Sequence, residues 1–268
     1  MTAHATFANK VVLITGAGSG IGLATAQAFA REGAQLVLIG RKEKPLKEAA
    51  AAISKEGHLA PLVIAHCDVA EEAQIAAAIK QTFEKFGRLD IAFNNAGMAG
   101  AGGALAEVNS AEYQRLMKVN VDGVFFSMKH QIPLMLKTIA KFEKEAGAGG
   151  QCRIVNTASC AGIIGFAGAS AYVASKFAVV GMTKSAALEY AQAGIAINAV
   201  APGPIETPLI HDFAKGEESK KALLQTLAMT DYGVPEDVAE IVLGICSPRM
   251  KFMAGSVISI DGGQTAGY

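Results

Sequence analysis

The grouping best suited to chemistry is a tyrosine and a lysine four residues apart, Tyr172 and Lys176, with Ser159 thirteen residues before the tyrosine. They lie in or beside 154–175, a run without one charged residue. On an α-helix, residues four apart share a face one turn apart, so the phenol and the ammonium project side by side. A phenol with its unperturbed pKa of about 10 is a poor base at neutral pH. An adjacent cation favours its anion and draws the group toward the working pH, where a general acid/base is most effective. Taken alone, the pair also reads as a packed tyrosine whose lysine snorkels to solvent, and Ser159 as a strand-end hydroxyl bonded to backbone.

A second grouping, "TGAGSGIG" at 15–22, places Gly16, Gly20 and Gly22 between an apolar run and an amphipathic one. Glycines permit a tight turn and close backbone approach, and a helix N-terminus offers unpaired N–H groups and partial positive charge to a pyrophosphate. The same glycines can serve as a plain structural turn.

The elements that must position these groups alternate along the whole chain. Apolar runs at 11–15, 35–40, 60–69, 89–95, 152–159, 195–202 and 256–261 read as seven strands, the middle ones continuously apolar as buried parallel strands are. Helical patterns lie between them near 20–32, 43–56, 71–86, 109–142, 170–192 and 235–247. Such alternation predicts an α/β fold, a doubly wound parallel sheet with helices on both faces. No linker divides it, so 1–268 reads as one domain, with the Gly-rich 145–151 as a surface loop. The irregular stretch of roughly 203–234 follows a strand's carboxyl end, where such sheets bind ligands, and reads as a lid.

Composition excludes several classes. Lys+Arg and Asp+Glu both number 24 in 268 residues, and no basic block occurs, so neither nucleic acid nor an anionic membrane is an expected partner. The uncharged run at 154–175 carries Asn156, Thr157, Ser159, Ser170 and Ser175 and is broken by glycines, so a membrane span is not expected. Four cysteines without paired spacing predict free thiols and no metal site. "MTAHATFANK" lacks a basic region followed by an apolar run, so a cytoplasmic protein is expected.

The glycine spacing, G-x-x-x-G-x-G, together with "NNAG" at 94–97, Asn120, Ser159, Tyr172-x-x-x-Lys176, "PG" at 202–203 and Thr207, resembles the short-chain dehydrogenase/reductase family over nearly the whole chain. The resemblance implies a single-domain Rossmann fold and an oxidoreductase moving a hydride between a nicotinamide dinucleotide and a secondary alcohol or ketone. It implies that Tyr172 is the acid/base, that Lys176 tunes it and holds the nicotinamide ribose, and that Ser159 bonds the substrate oxygen. Asn120 would hold a water in a proton relay through Lys176. Gly16, Ser19, Gly20, Ile21 and Gly22 would cradle the pyrophosphate, and Asn94, Ala96 and Gly97 would lie against the cofactor. Asp68 would accept from the adenine amino group with Val69 packed on the ring, although Asp68 alone reads as a helix cap. Pro202, Gly203, Ile205 and Thr207 would lie at the nicotinamide end. Family members are commonly tetramers pairing the helices at 109–142 and 170–192, so a homotetramer is expected.

Cofactor choice is read at the end of the second strand, "LVLIGRKEK". An acidic residue there bonds the ribose 2′-hydroxyl, whereas an arginine accommodates a 2′-phosphate. Here Gly40 replaces the acid and Arg41 follows, which favours NADP, with NAD the alternative because position 19 is serine rather than a basic residue. The pocket residues 98–103 and 160–166 and the lid residues Leu209, Ile210 and Phe213 are mainly apolar, which suits an aliphatic or cyclic alcohol or ketone. A silent dinucleotide-binding regulator or a scaffold of the same fold is the competing reading.

Overall fold

The computed structural model describes residues 6–100, 102–146, 151–213 and 216–267. Residues 147–150 of the expected surface loop, Ala101 of the expected pocket wall, and residues 214–215 and the Phe213 side chain of the expected lid lie outside them.

Seven strands form one parallel sheet, in the order β3-β2-β1-β4-β5-β6-β7. They are β1 (Val11–Thr15), β2 (Gln35–Ile39), β3 (Leu62–Ile64), β4 (Ile91–Asn94), β5 (Cys152–Thr157), β6 (Ile195–Pro202) and β7 (Val257–Ile260). Side chains alternate across the pleat, so β1 sends Val11 and Leu13 to one face and Val12 and Ile14 to the other, all but buried. The first face packs on α3 (Glu72–Phe86), α5 (Gly123–Ala146) and α6 (Ser170–Tyr190) through Ile79, Met135 and Val179. The second packs on α1 (Gly20–Arg31), α2 (Glu43–Lys55) and α9 (Pro235–Cys246) through Phe29, Ile53 and Val242. Each fully buried side chain of this size contributes roughly 1.5–3 kcal/mol, which is why both faces must be covered. The remaining helices are α4 (Ser110–Met117) and two short ones in the expected lid, α7 (Pro208–Phe213) and α8 (Glu217–Leu224).

The strand order reverses between β1 and β4, and the crevice beyond the carboxyl ends of strands at such a reversal is where open α/β sheets hold ligands. Three local departures from the expected elements shape that crevice. Strand β3 ends at Ile64 because His66 adopts a left-handed backbone, φ 56, and turns the chain so that Cys67 N–H donates to the Gly40 carbonyl. The long helix expected at 109–142 is broken by one wide π turn, Lys118–Asp122, which holds Asn120. Strand β5 ends at Thr157, so Ser159 stands beyond it as the cap of a short turn, Cys160–Gly162, its Oγ accepting from Ala161 N–H at 3.2 Å.

Candidate active site

A cavity of about 890 Å³ runs along the carboxyl ends of the strands. Its lining contains Gly16, Ser19, Gly20, Ile21, Arg41, Asp68, Val69, Ala96, Gly97, Ser159, Tyr172, Lys176, Pro202, Gly203, Ile205 and Thr207 of the expected site. Gly22, Asn94 and Asn120 are not in the lining and act from behind it.

At one end, the glycine loop is held by its neighbour strand. Thr15 Oγ1 accepts from the N–H groups of Asn95 and Ala96 at 3.0 and 3.1 Å, while Asn95 Nδ2 donates to the Thr15 carbonyl at 3.2 Å. Gly16, at φ +67, would bring a Cβ within 3.0 Å of Ala96 Cα, and a Cβ on Gly22 would lie 2.3 Å from the Gly16 carbonyl oxygen. These positions therefore hold nothing larger than glycine. Ser19, the N-cap of α1, is extended, makes no side-chain cap bond and lines the cavity at the helix N-terminus. An amide-lined cradle at a positive helix end fits the pyrophosphate of a dinucleotide. Beyond it, Gly40, Arg41 and Asp68 close this end, with Arg41 Nη1 3.9 Å from Asp68 Oδ2.

At the other end the reactive side chains converge. Lys176 is 5% exposed, its Nζ donates to the Thr157 carbonyl at 2.9 Å, and it lies 5.6 Å from the centroid of the Tyr172 ring. Burial pushes the Lys176 ammonium down to about 8. Burial likewise pushes the Tyr172 phenol up to about 12, with a hydrogen bond to Ser159 pulling it back and the Cys160 thiol adding to the rise. The phenol and the ammonium predicted side by side are thus brought together, with burial and the Ser159 hydrogen bond acting on the phenol in opposite directions. Ser159 Oγ also lies 3.4 Å from the Pro202 carbonyl oxygen and 3.6 Å from Cys160 Sγ.

Asn120 fastens this end to the segment that follows β4. Its Oδ1 accepts from Met98 N–H, and its Nδ2 donates to the Met98 carbonyl and to Ser175 Oγ, at 2.9, 2.9 and 3.1 Å. Ser175 Oγ in turn donates to the Tyr172 carbonyl at 2.7 Å. The Asn120 side chain thus braces the turn of α6 that carries Tyr172 and Lys176. Asn94 is corrected: it is 2% exposed in the core, exchanging hydrogen bonds with Gln131 and donating to Asn156, whose amide donates to Thr183. The asparagine that lines the cavity is Asn95. Sequence reasoning also missed Thr15 and Ser175; the latter had a signal, since a helical serine reaches back to the carbonyl one turn before it.

Residues 16–265 match the family model described as enoyl-(acyl carrier protein) reductase. A cyclohexanol dehydrogenase from Acinetobacter sp. (strain SE19) is 40% identical over 261 residues, covering 97% of this chain and 96% of its own. A levodione reductase from Leifsonia aquatica is 38% identical over 268 residues, covering 98% and 96%. Among solved structures, a levodione reductase has a TM-score of 0.88 at 36% identity, covering 98% of this chain and 100% of its own. A 3-ketoacyl-(acyl-carrier-protein) reductase from Brucella melitensis, complexed with NADH, has a TM-score of 0.87 at 33% identity, covering 96% and 99%.

Proposed function

The chain belongs to the short-chain dehydrogenase/reductase family, and from that premise we infer that it is an NADP-preferring oxidoreductase acting on small cyclic or aliphatic ketones and secondary alcohols. The observation that carries this reading is the convergence of Ser159, Tyr172 and Lys176 on one end of a cavity whose other end is the glycine loop. When bound there, the nicotinamide dinucleotide supplies or accepts the hydride.

The chain's own residues handle the proton. Tyr172, protonated at neutral pH, donates to the oxygen of a ketone, and Ser159 hydrogen-bonds the same oxygen as charge develops on it. Lys176, which donates to the Thr157 carbonyl, would hold the nicotinamide ribose, and its charge stabilises the phenolate that donation leaves behind. Carbonyl reduction is thus the direction for which the site is set near neutrality, and alcohol oxidation gains as the pH rises. Gly16, Ser19, Gly20 and Ile21 would cradle the pyrophosphate, Asp68 and Val69 would meet the adenine, and Ile205 and Thr207 would meet the carboxamide. Arg41 beside Gly40 favours a 2′-phosphate.

The substrate end is walled by Met98, Phe166, Leu209, Ile210 and Leu223, which suits an apolar ring. The names of the two relatives, a cyclohexanol dehydrogenase and a levodione reductase, support the same class. The chain acts as one unit with 203–234 as a lid, in the cytoplasm and as a homotetramer. Exposed Phe125 on α5 and Phe177 and Leu188 on α6 offer the apolar surface for pairing, and light scattering giving a monomer at micromolar concentration would refute it. Among the described residues no helix is long and apolar enough to cross a membrane. The deciding test is turnover of a panel of ketones and alcohols with each dinucleotide; a protein that binds dinucleotide and turns over none of them is a regulator instead.

A further inference from the structure

Ser175 stands one residue before Lys176 and three after Tyr172, completely buried and outside the cavity lining. Its hydrogen bonds admit one arrangement. Met98 offers Asn120 a backbone N–H and a backbone carbonyl, each at 2.9 Å, which fixes Oδ1 on the first and Nδ2 on the second. The other proton of that amide points to Ser175 Oγ at 3.1 Å. Ser175 can only accept there, so its own proton goes to the Tyr172 carbonyl at 2.7 Å. Every proton on the two polar groups is then spent.

At 3.6 residues per turn, Tyr172, Ser175 and Lys176 fall within about 100° of one another around α6. Whatever holds Ser175 therefore sets the rotation of the helix, and with it the directions of the phenol and the ammonium. Met98 follows Gly97, where a Cβ would lie 3.3 Å from Asn120 Oδ1 and 3.7 Å from Lys176 Nζ. The segment after β4, Asn120 and Lys176 thus meet beside the cavity. The same turn of α6 is also pressed by the turn that carries Ser159, since a Cβ on Gly162 would fall 2.8 Å from the Lys176 carbonyl oxygen. Gly162 grips the helix by close packing, and Ser175 grips it by a directed bond.

We propose that Ser175 is a positioning residue: its hydroxyl, held by Asn120, fixes the rotation of α6 so that the Tyr172 phenol meets the reacting oxygen alongside Ser159. This rests on the oxidoreductase reading above and adds to it a residue that acts only through Tyr172 and Lys176. Loss of the hydroxyl leaves one Asn120 N–H buried without an acceptor and frees the turn to rotate. A shift of about 1 Å in a reacting group can cost about 10²-fold in rate.

The test measures kcat and KM for cyclohexanone reduction, the Kd of each dinucleotide and the pH profile of cyclohexanol oxidation, in wild type, Ser175→Ala and Ser175→Cys. In Ser175→Ala kcat falls about tenfold or more, while KM and Kd change less than about threefold, because the walls that bind the ring and the dinucleotide stay in place. Oxidation begins its rise at higher pH, because a phenol turned away from Ser159 loses the bond that draws its pKa down. Ser175→Cys, with a weak donor and acceptor in place of the hydroxyl, falls between the two. A serine that only supports the fold would lower the melting temperature and leave kcat and the pH profile where they were, and that result overturns the assignment. Equal losses in both variants with KM and Kd weakened alike overturn it too. If Ser175→Ala does not fold, an unchanged kcat in Ser175→Cys overturns it. A wild type that turns over no ketone overturns the oxidoreductase reading itself, whereas an active wild type matched by Ser175→Ala overturns the positioning role alone.

Discussion

Lys176 Nζ lies 5.6 Å from the centroid of the Tyr172 ring, one helical turn away, and donates to the Thr157 carbonyl. Both groups line the cavity, and burial pushes each toward its neutral form, the phenol up to about 12 and the ammonium down to about 8. A proton donor that stays protonated at neutral pH is what carbonyl reduction needs. The rate of reduction should accordingly stay level between about pH 6 and 8, while alcohol oxidation in kcat/KM should climb as the phenolate fraction grows. Oxidation that is flat from about pH 6 to 9 would mean the phenol is already ionised.

Replacing Tyr172 with Phe removes one oxygen and the transferable proton while keeping the ring. Turnover should fall by at least ~10²-fold, with dinucleotide binding by thermal shift nearly unchanged. A Tyr172→Phe protein with full activity would refute the acid/base assignment.

Lys176 also leaves a signature in stability. Its folded pKa, about 8, lies below the ordinary 10.5, so between these values the unfolded chain binds more protons than the folded one. Stability must then rise with pH through that window, because unfolding takes up a proton that the folded lysine has lost. The penalty lifted is roughly 3 kcal/mol across the window. Lys176→Met carries no such group. Its stability relative to wild type should be highest below about pH 8 and should decline toward pH 10.5, as followed by urea unfolding. A constant difference at all pH values would show that the lysine is not desolvated.

Much of this was legible because apolar runs and glycine spacing report directly on strands and on the loop after β1. What stayed hidden depends on partners distant in sequence. Asn94 and Asn95 look alike in a chain, but Asn94 is the last residue of β4 and sits in register with Asn156 of β5, so its amide points into the core. Asn95, past the strand end, turns toward the glycine loop. One residue of offset reverses the face. Asn120 was placed in the right helix, but its reach to Met98 depends on a π turn that no periodicity announces. The adjacency of Lys176 and Tyr172 is visible in the sequence, whereas the burial that acts on both groups is not.

Gly22 sits behind the cofactor cradle, where any side chain meets backbone. A Cβ there would lie 2.3 Å from the Gly16 carbonyl oxygen and 2.7 Å from Asn95 Nδ2, so Gly22→Ala must displace the loop or α1. Overpacking of this kind costs about 1–3 kcal/mol, and the displaced loop should bind dinucleotide at least ~10-fold more weakly. Thermal shift with and without cofactor reads both effects, and an alanine variant with wild-type affinity would remove the close-packing argument.

The proposed NADP preference rests on the charge of Arg41 at the far end of the cavity. Gly40 leaves room and no negative charge beside it, and the guanidinium can meet a 2′-phosphate with paired charged hydrogen bonds. Its present neighbour, Asp68, is 3.9 Å away and partly exposed, a weak competitor for a dianion. Charged hydrogen bonds contribute roughly 1.5–3 kcal/mol each, so NADPH should bind about tenfold to a hundredfold more tightly than NADH. At equal concentration it should therefore raise the melting temperature further. Gly40→Asp combined with Arg41→Ile restores an acceptor for a 2′-hydroxyl and removes the phosphate's partner, so the order of stabilisation should reverse. If NADH stabilises the wild type more, Arg41 plays no part in cofactor choice, and its pairing with Asp68 is an ordinary surface contact.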